Sequence, residues 1–249
     1  MALTQTHRVT LVSVLVVTGT GTGVGKTVVT AAVAALAAAR GSRVAVVKPA
    51  QTGVGAAEPG DLAEVRRLAG VTDLHELARY PDPLSPAAAA RHSGLAPLDL
   101  RSAADRVRQL ADERDLVLVE GAGGLLVRYD EEGATVADLA HELAADVLVV
   151  VDPSLGTLNH TALTLEAMAH RGLALAGVVI GAWPAEPDLA CRSNVRDLET
   201  LAARPLAGAL PAGAGSLDGA EFLLAARAGL APALGGTFDA ADFRRADHH

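Results

Sequence analysis

Aromatic residues make up only 2% of this 249-residue chain, and there is one cysteine. With so few rings, a core must be assembled from Ala, Val and Leu, and half of the residues are hydrophobic, so a sizeable core is available. A lone Cys191 excludes an internal disulfide and suits a reducing, cytoplasmic setting; it reads as an inert small residue. Positive charge is also scarce. A net charge of −8 argues against a nucleic-acid surface and against binding to anionic membranes, local basic patches aside. No apolar run is long enough to span a bilayer. Residues 1–12 lack a basic segment, a long apolar stretch and a cleavage site, so no signal peptide is read there, and a flexible extension is expected. The eight histidines show no metal-site spacing. His141-Glu142 lacks the second histidine of the zinc-protease motif, and no Gly-x-Ser-x-Gly elbow occurs.

What is present centres on Gly19-Thr20-Gly21-Thr22-Gly23-Val24-Gly25-Lys26-Thr27. An apolar run at 14–17 reads as a buried strand before it, and an Ala-rich segment at 28–40 reads as a helix after it. Strand, glycine-rich turn, Gly-Lys-Thr and helix form the layout of a phosphate-binding loop. Glycines let the backbone turn tightly and aim several N–H groups at one anion. The helix that begins there adds unpaired N–H groups and the positive end of its dipole. Lys26 is placed to reach the outer phosphates, and Thr27 offers a hydroxyl to magnesium. One departure is visible: Thr20 stands where the common pattern begins with glycine.

Further along, short apolar strands are expected at 44–47, 115–119, 147–151, 173–180 and 205–210. Helices are expected at 61–68, 86–92, 99–111, 136–144, 157–170 and 189–202. Residues 54–60 read as a loop, and the prolines at 81, 83 and 86 make 79–85 irregular or extended. A short strand is expected at 125–127, and 130–132 reads as a solvated acidic turn. Continuous apolar strands alternating with helices predict an α/β fold: a mostly parallel sheet covered on both faces, like a P-loop NTPase. With no repeat and no linker, residues 1–249 read as a single domain. Functional groups in such sheets lie beyond the carboxyl ends of the strands. That places them at 19–27, 48–53, 120–124, 152–159, and 181–183 with 211.

Magnesium on a nucleotide needs hard oxygen ligands. Thr27 is one, and Glu120, at the end of a buried strand, is where P-loop proteins put an acidic residue near the metal. Asp61 is either a further ligand or the cap of its helix. Lys48, between a strand and Pro49, is either a surface lysine or a second cation for a transferring phosphoryl group, convergent with Lys26.

Taken in order, Gly19-Thr20-x-Thr22-x-Val24-Gly25-Lys26-Thr27, Lys48-Pro49-x-x-Thr52-Gly53, Glu120-Gly121-Ala122-Gly123-Gly124 and Gly156-x-x-Asn159-His160 resemble the dethiobiotin synthetases of biotin biosynthesis. The resemblance runs from about residue 14 to about 217. It implies a homodimeric, ATP- and Mg²⁺-dependent carbon–nitrogen ligase. Its substrates would be 7,8-diaminononanoate and CO₂ or bicarbonate, joined through a carbamate and a carbamic-phosphoric anhydride, with no nucleic-acid or membrane partner. Carried onto this chain, Lys26 and Lys48 would hold carbamate and γ-phosphate. Thr22, Gly23, Val24, Gly25, Lys26, Thr27 and Val28 would bind the nucleotide phosphates. Glu120, Gly121, Ala122 and Gly123 would line the site, and Gly181, Ala182, Ala209, Leu210 and Pro211 would surround the base. Thr52 and Gly123 would meet the reacting end of the substrate, and Thr157, Leu158 and Asn159 its carboxylate. Thr27, Asp61 and Glu120 would serve the metal.

Many relatives carry acidic residues where this loop has Gly21 and Gly23, and a base-reading Asn where Gly181 stands. Glycine lacks that donor and acceptor, so relaxed base selectivity is expected, with CTP a candidate alternative to ATP. Partitioning ATPases, the nearest rival class, have a lysine at the position of Gly21. Related amidoligases usually add a glutaminase domain, for which this length leaves no room.

Overall fold

The computed structural model describes residues 14–246, so the expected extension at 1–12 and the last residues of the tail lie outside it. The chain begins with strand β1 (Val14–Gly19), helix α1 (Lys26–Ala39) and strand β2 (Val44–Lys48). β3 (Gln51–Thr52), α2 (Asp61–Ala69), β4 (Leu74–Glu76) and β5 (Arg79–Tyr80) follow, then α3 (Pro86–Ser93), α4 (Leu100–Glu113) and β6 (Leu116–Gly124). Next come α5 (Val136–Glu142), β7 (Asp146–Val151), α6 (Thr157–His170), β8 (Leu175–Trp183) and α7 (Leu189–Ala202). The last elements are β9 (Gly208–Pro211), α8 (Gly219–Gly229) and α9 (Ala240–Ala246).

The strands alternate in side-chain direction, and both directions are buried. In β1, Val14 and Val16 pack into one core layer while Leu15 and Val17 pack into the other. Seven strands pair in the order β4-β2-β6-β1-β7-β8-β9, every pair parallel. Helices α1, α2 and α8 cover one face, and α4, α5, α6 and α7 cover the other. α1 is buried along most of its length, from Val29 to Ala37, between the sheet, α2 and α8. Its alanines let three neighbours approach at once, which supplies a packed layer almost without rings. Each fully buried Val or Leu contributes about 1.5–3 kcal/mol relative to exposure.

The strand order reverses around β1, whose neighbours β6 and β7 both come from much later in the chain than β2 and β4. A crevice forms outside the carboxyl ends at such a switch point. Several elements differ from the expectation. No strand forms at 125–127; a turn there sends the chain back, with Val127 N–H on the Gly124 carbonyl. β6 instead continues through Gly124, because the 120–124 stretch stays paired with β1 across a shift of register, with Glu120 opposite Val17 and Gly124 opposite Gly19. β8 likewise runs on to Trp183. The two-residue pair β3–β5 and the edge strand β4 were not anticipated, being too short to show alternation.

Candidate active site

The glycine-rich turn joins β1 to α1 through two left-handed residues, Gly23 at φ 78° and Gly25 at φ 94°. Gly25 is the N-cap of α1 and provides no side-chain cap, so the first turn of the helix faces the crevice with its amides. β8 passes directly beneath this turn. A Cβ on Gly25 would lie 2.8 Å from the Gly181 carbonyl oxygen, and a Cβ on Gly181 would run into the Val24 carbonyl. Gly181 is therefore required by backbone contact with the loop, whatever its part in base recognition.

Three strand ends bring the charged groups together. Glu120, fully buried, leaves β6 beside β1 and β2. Its Oε1 accepts from Thr27 Oγ1 at 2.8 Å and from Lys48 Nζ at 2.8 Å. Lys48 Nζ also lies 2.5 Å from Asp61 Oδ2 and donates to the Gly121 carbonyl at 3.3 Å. At 3% exposure Lys48 is no surface lysine. Asp61 is not the cap of α2 either: Gly60 holds that position, and the Asp61 carboxylate is turned to Lys48. Burial alone would push the Lys48 ammonium down, but the carboxylates of Glu120 and Asp61 outweigh it and hold its pKa above the usual lysine value. Lys26 has the opposite balance. Burial first, and the nearby Lys48 charge second, lower its pKa to about 8. Its Nζ donates to the Gly21 carbonyl at 2.8 Å, within its own loop.

These groups border a cleft of about 700 Å³. Of the residues expected from sequence, Thr22, Gly23, Gly25, Lys26, Thr27, Val28, Lys48, Thr52, Asp61, Glu120, Ala122 and Gly123 line it. Gly121 is present through its carbonyl on Lys48, and Val24 packs inward. The residues expected around the base lie apart, next to the loop on the β8–β9 side: Ala182 is exposed, Pro211 pairs with Trp183, and Ala209 and Leu210 are buried with their side chains in the core. Trp183 packs edge-on against Phe243 at 5.0 Å. Thr157, Leu158 and Asn159 stand at the N-terminus of α6, beyond β7, outside the main cleft. Gly156 caps that helix at φ 100° without a side-chain bond, and among the described residues the buried Thr157 hydroxyl has no hydrogen-bond partner.

Some contributors were missed. Tyr129 is fully buried, and its hydroxyl oxygen accepts from the Ala122 amide at 3.0 Å, pinning the 120–124 strand end. Its pKa is raised, chiefly by burial. Nothing local in the sequence separates it from a core tyrosine. Pro83, Leu84 and Ser85, which follow the strand paired with β3, form a wall of the cleft together with Val127 from the turn after β6. Gln51, within the Lys48–Gly53 motif, lines the cleft and bonds to the start of α2.

The oxygens present fit magnesium. Among the described residues the buried Glu120 Oε2 has no hydrogen-bond partner, while Oε1 meets the Thr27 hydroxyl and, through Lys48, the Asp61 carboxylate is close by. Among the described residues no group of three or more His, Cys, Asp or Glu could hold a metal by itself. A magnesium ion shared with phosphates needs only one or two carboxylates.

Residues 13–216 match the family model described as "AAA domain". In fold, the chain is similar to a ParA family ATPase from Chlorobium tepidum, with a TM-score of 0.54 at 15% identity, covering 87% of this chain and 90% of that one. It is also similar to the cell division ATPase MinD of Pyrococcus furiosus, with a TM-score of 0.52 at 20% identity over 86% and 90%. In sequence it is 71% identical to the ATP-dependent dethiobiotin synthetase BioD of Frankia casuarinae, over 92% of this chain and 97% of that protein. It is 58% identical to the protein of the same name from Streptomyces coelicolor, over 92% and 97%. The chain belongs to the family of ATP-dependent dethiobiotin synthetases.

Proposed function

We propose that this protein closes the ureido ring of dethiobiotin from 7,8-diaminononanoate, CO₂ and ATP, with Mg²⁺. The observation that carries the reading is the buried cation Lys48, held between Glu120 and Asp61 in a cleft shared with Lys26 and Thr27. One substrate amine adds to CO₂ and loses a proton, giving a carbamate. A carbamate oxygen attacks the γ-phosphorus, and ADP leaves. The second amine attacks the carbamoyl carbon, phosphate departs, and a proton goes to solvent.

Carbamate and γ-phosphate are both anions, so an in-line approach needs cations between them. Lys48 is held for that task by Glu120 and Asp61, whose carboxylates favour its ammonium form. Lys26, freed from its own loop carbonyl, would pair with the terminal phosphates, whose charge would raise its pKa again. Thr27, Glu120 and Asp61 would hold Mg²⁺, which supplies charge neutralisation on the phosphates. Thr52 would position the reacting amine, and the 120–124 backbone, fixed by Tyr129, would line the reaction space.

The first turn of α6 would take the substrate carboxylate through its amides and the Thr157 hydroxyl. Asn159 and Leu163, four residues apart on one helix face, are exposed, as is Leu155 at 88%. Apolar exposure beside a ligand site supports a homodimer formed there. The single free, buried Cys191 suits a cytoplasmic enzyme. The experiment is ATP hydrolysis with and without diaminononanoate and bicarbonate, with dethiobiotin measured by mass. Phosphate release should require both co-substrates and match dethiobiotin one to one; release independent of them would remove this function.

A further inference from the structure

The roles proposed above leave Gln51 unassigned, although both ends of its side-chain amide are engaged. The residue is 4% exposed. Its Oε1 accepts from the Asp61 amide at 2.8 Å, and its Nε2 donates to the Thr52 carbonyl at 3.2 Å. The first contact caps α2 from outside the helix, because Gly60 at the N-cap has no side chain to do so. The capped residue is the one whose carboxylate meets Lys48.

Gly60 belongs to the same device. Its backbone, at φ −100° and ψ −171°, suits any residue. A Cβ there would lie 2.7 Å from Gln51 Oε1 and 3.1 Å from Arg79 Nη2. The glycine is needed for the amide's position and not for the turn. Arg79 in turn holds the intervening loop, donating to the Gly55 and Glu58 carbonyls at 2.8 Å each.

We infer that Gln51 is a positioning residue that sets the Asp61 carboxylate against Lys48 and ties it to Thr52. It thereby couples the metal side of the cleft to the amine side. The inference rests on the proposed reading of Asp61 as a metal ligand. Removing a partner that orients a ligand typically weakens metal affinity on the order of tenfold or more.

The test is Mn²⁺ binding to the protein–ADP complex, followed by electron paramagnetic resonance of free Mn²⁺. Wild type, Gln51→Met, Gly60→Ala, the double variant and Asp61→Asn are compared, with a urea melt of each. Gln51→Met and Gly60→Ala should each weaken Mn²⁺ by roughly tenfold, Asp61→Asn at least as much. The double variant should lose no more than the worse single one, because both act through the same amide. Unchanged Mn²⁺ affinity in Gln51→Met and Gly60→Ala, with Asp61→Asn weakened, makes Gln51 a structural cap only; the proposal falls and the metal reading stands. Unchanged affinity in Asp61→Asn removes that carboxylate from the metal, and both fall. If Gln51→Met does not fold, Gly60→Ala decides alone, since it keeps every hydrogen-bonding side chain.

Discussion

On the proposed reading Lys48 would carry both a catalytic and a structural burden. Losing a group that stabilises developing charge typically costs roughly 10²–10³ in rate, and Lys48→Ala should show a loss of that size in single-turnover ATP cleavage. The variant should also be less stable. Glu120 is fully buried and would be left without its cation, and breaking a buried pair on one side costs about 3–5 kcal/mol. Urea melts check this, and added Mg²⁺ should recover part of the loss. A Lys48→Ala protein as stable and as active as wild type would remove the residue from both roles. Gly181 supports a different expectation. It has no side chain to read a base, and the contact of its backbone with Val24 leaves no room for one. Phosphate contacts, common to all nucleoside triphosphates, would then dominate affinity. CTP should bind within about an order of magnitude of ATP, a gap near 1.4 kcal/mol. Competition binding of ATP, CTP, GTP and UTP measures it, and a thousandfold preference for ATP would refute it. Gly181→Ala should lower stability by about 1–3 kcal/mol through overpacking, with the loop displaced.

Among the elements, β4 is the edge strand that completes the sheet beyond β2, and side chains anchor it. Asp73, just before it, accepts from Arg114 Nε at 2.5 Å and pairs with His75 Nε2 at 2.7 Å. Burial raises the Asp73 pKa, but the hydrogen bonds from Arg114 and His75 outweigh it and leave the carboxyl below its ordinary value. A carboxyl whose folded pKa is depressed stabilises the fold fully above its unfolded value, and this is lost as pH falls through the folded one. The acid limb of the stability curve, below about pH 4, should therefore be shallower in Asp73→Asn than in wild type. Urea melts across that range test the slope; a uniform offset with an unchanged slope would show that Asp73 does not titrate with folding. The anchor sits behind β2, the strand that ends in Lys48, so element stability and site geometry share one edge.

For the whole molecule the leading expectation is association. Leu155 and Leu163 are 88% and 57% exposed around the first turns of α6. Two charges placed there, Leu155→Glu with Leu163→Glu, should convert a dimer to a monomer in sedimentation velocity. The Michaelis constant for diaminononanoate should rise, while nucleotide binding at the remote loop stays as in wild type. A wild-type protein that sediments as a monomer would remove the dimer from the proposal.

Local chemistry made much of this legible in the linear chain. The glycines, Lys26 and Thr27 announce an anion loop because a tight turn followed by a helix start is a backbone property of consecutive residues. Apolar runs that bury both faces announce a parallel sheet, and with it the strand ends where Lys48 and Glu120 stand. Tertiary structure alone decided which of those ends meet. β6 inserts between β1 and β2, so that Lys48 and Glu120, 72 positions apart, form a buried ion pair. It decided that Asp61 faces Lys48 while Gln51 caps its helix, and that Gly181 is a contact for the phosphate loop. It also decided that Tyr129 pins Ala122. Periodicity and turn chemistry are written in neighbouring residues. Strand order, and the approach of one backbone to another, come from packing surfaces far apart in the chain, for which no contiguous stretch carries a signal.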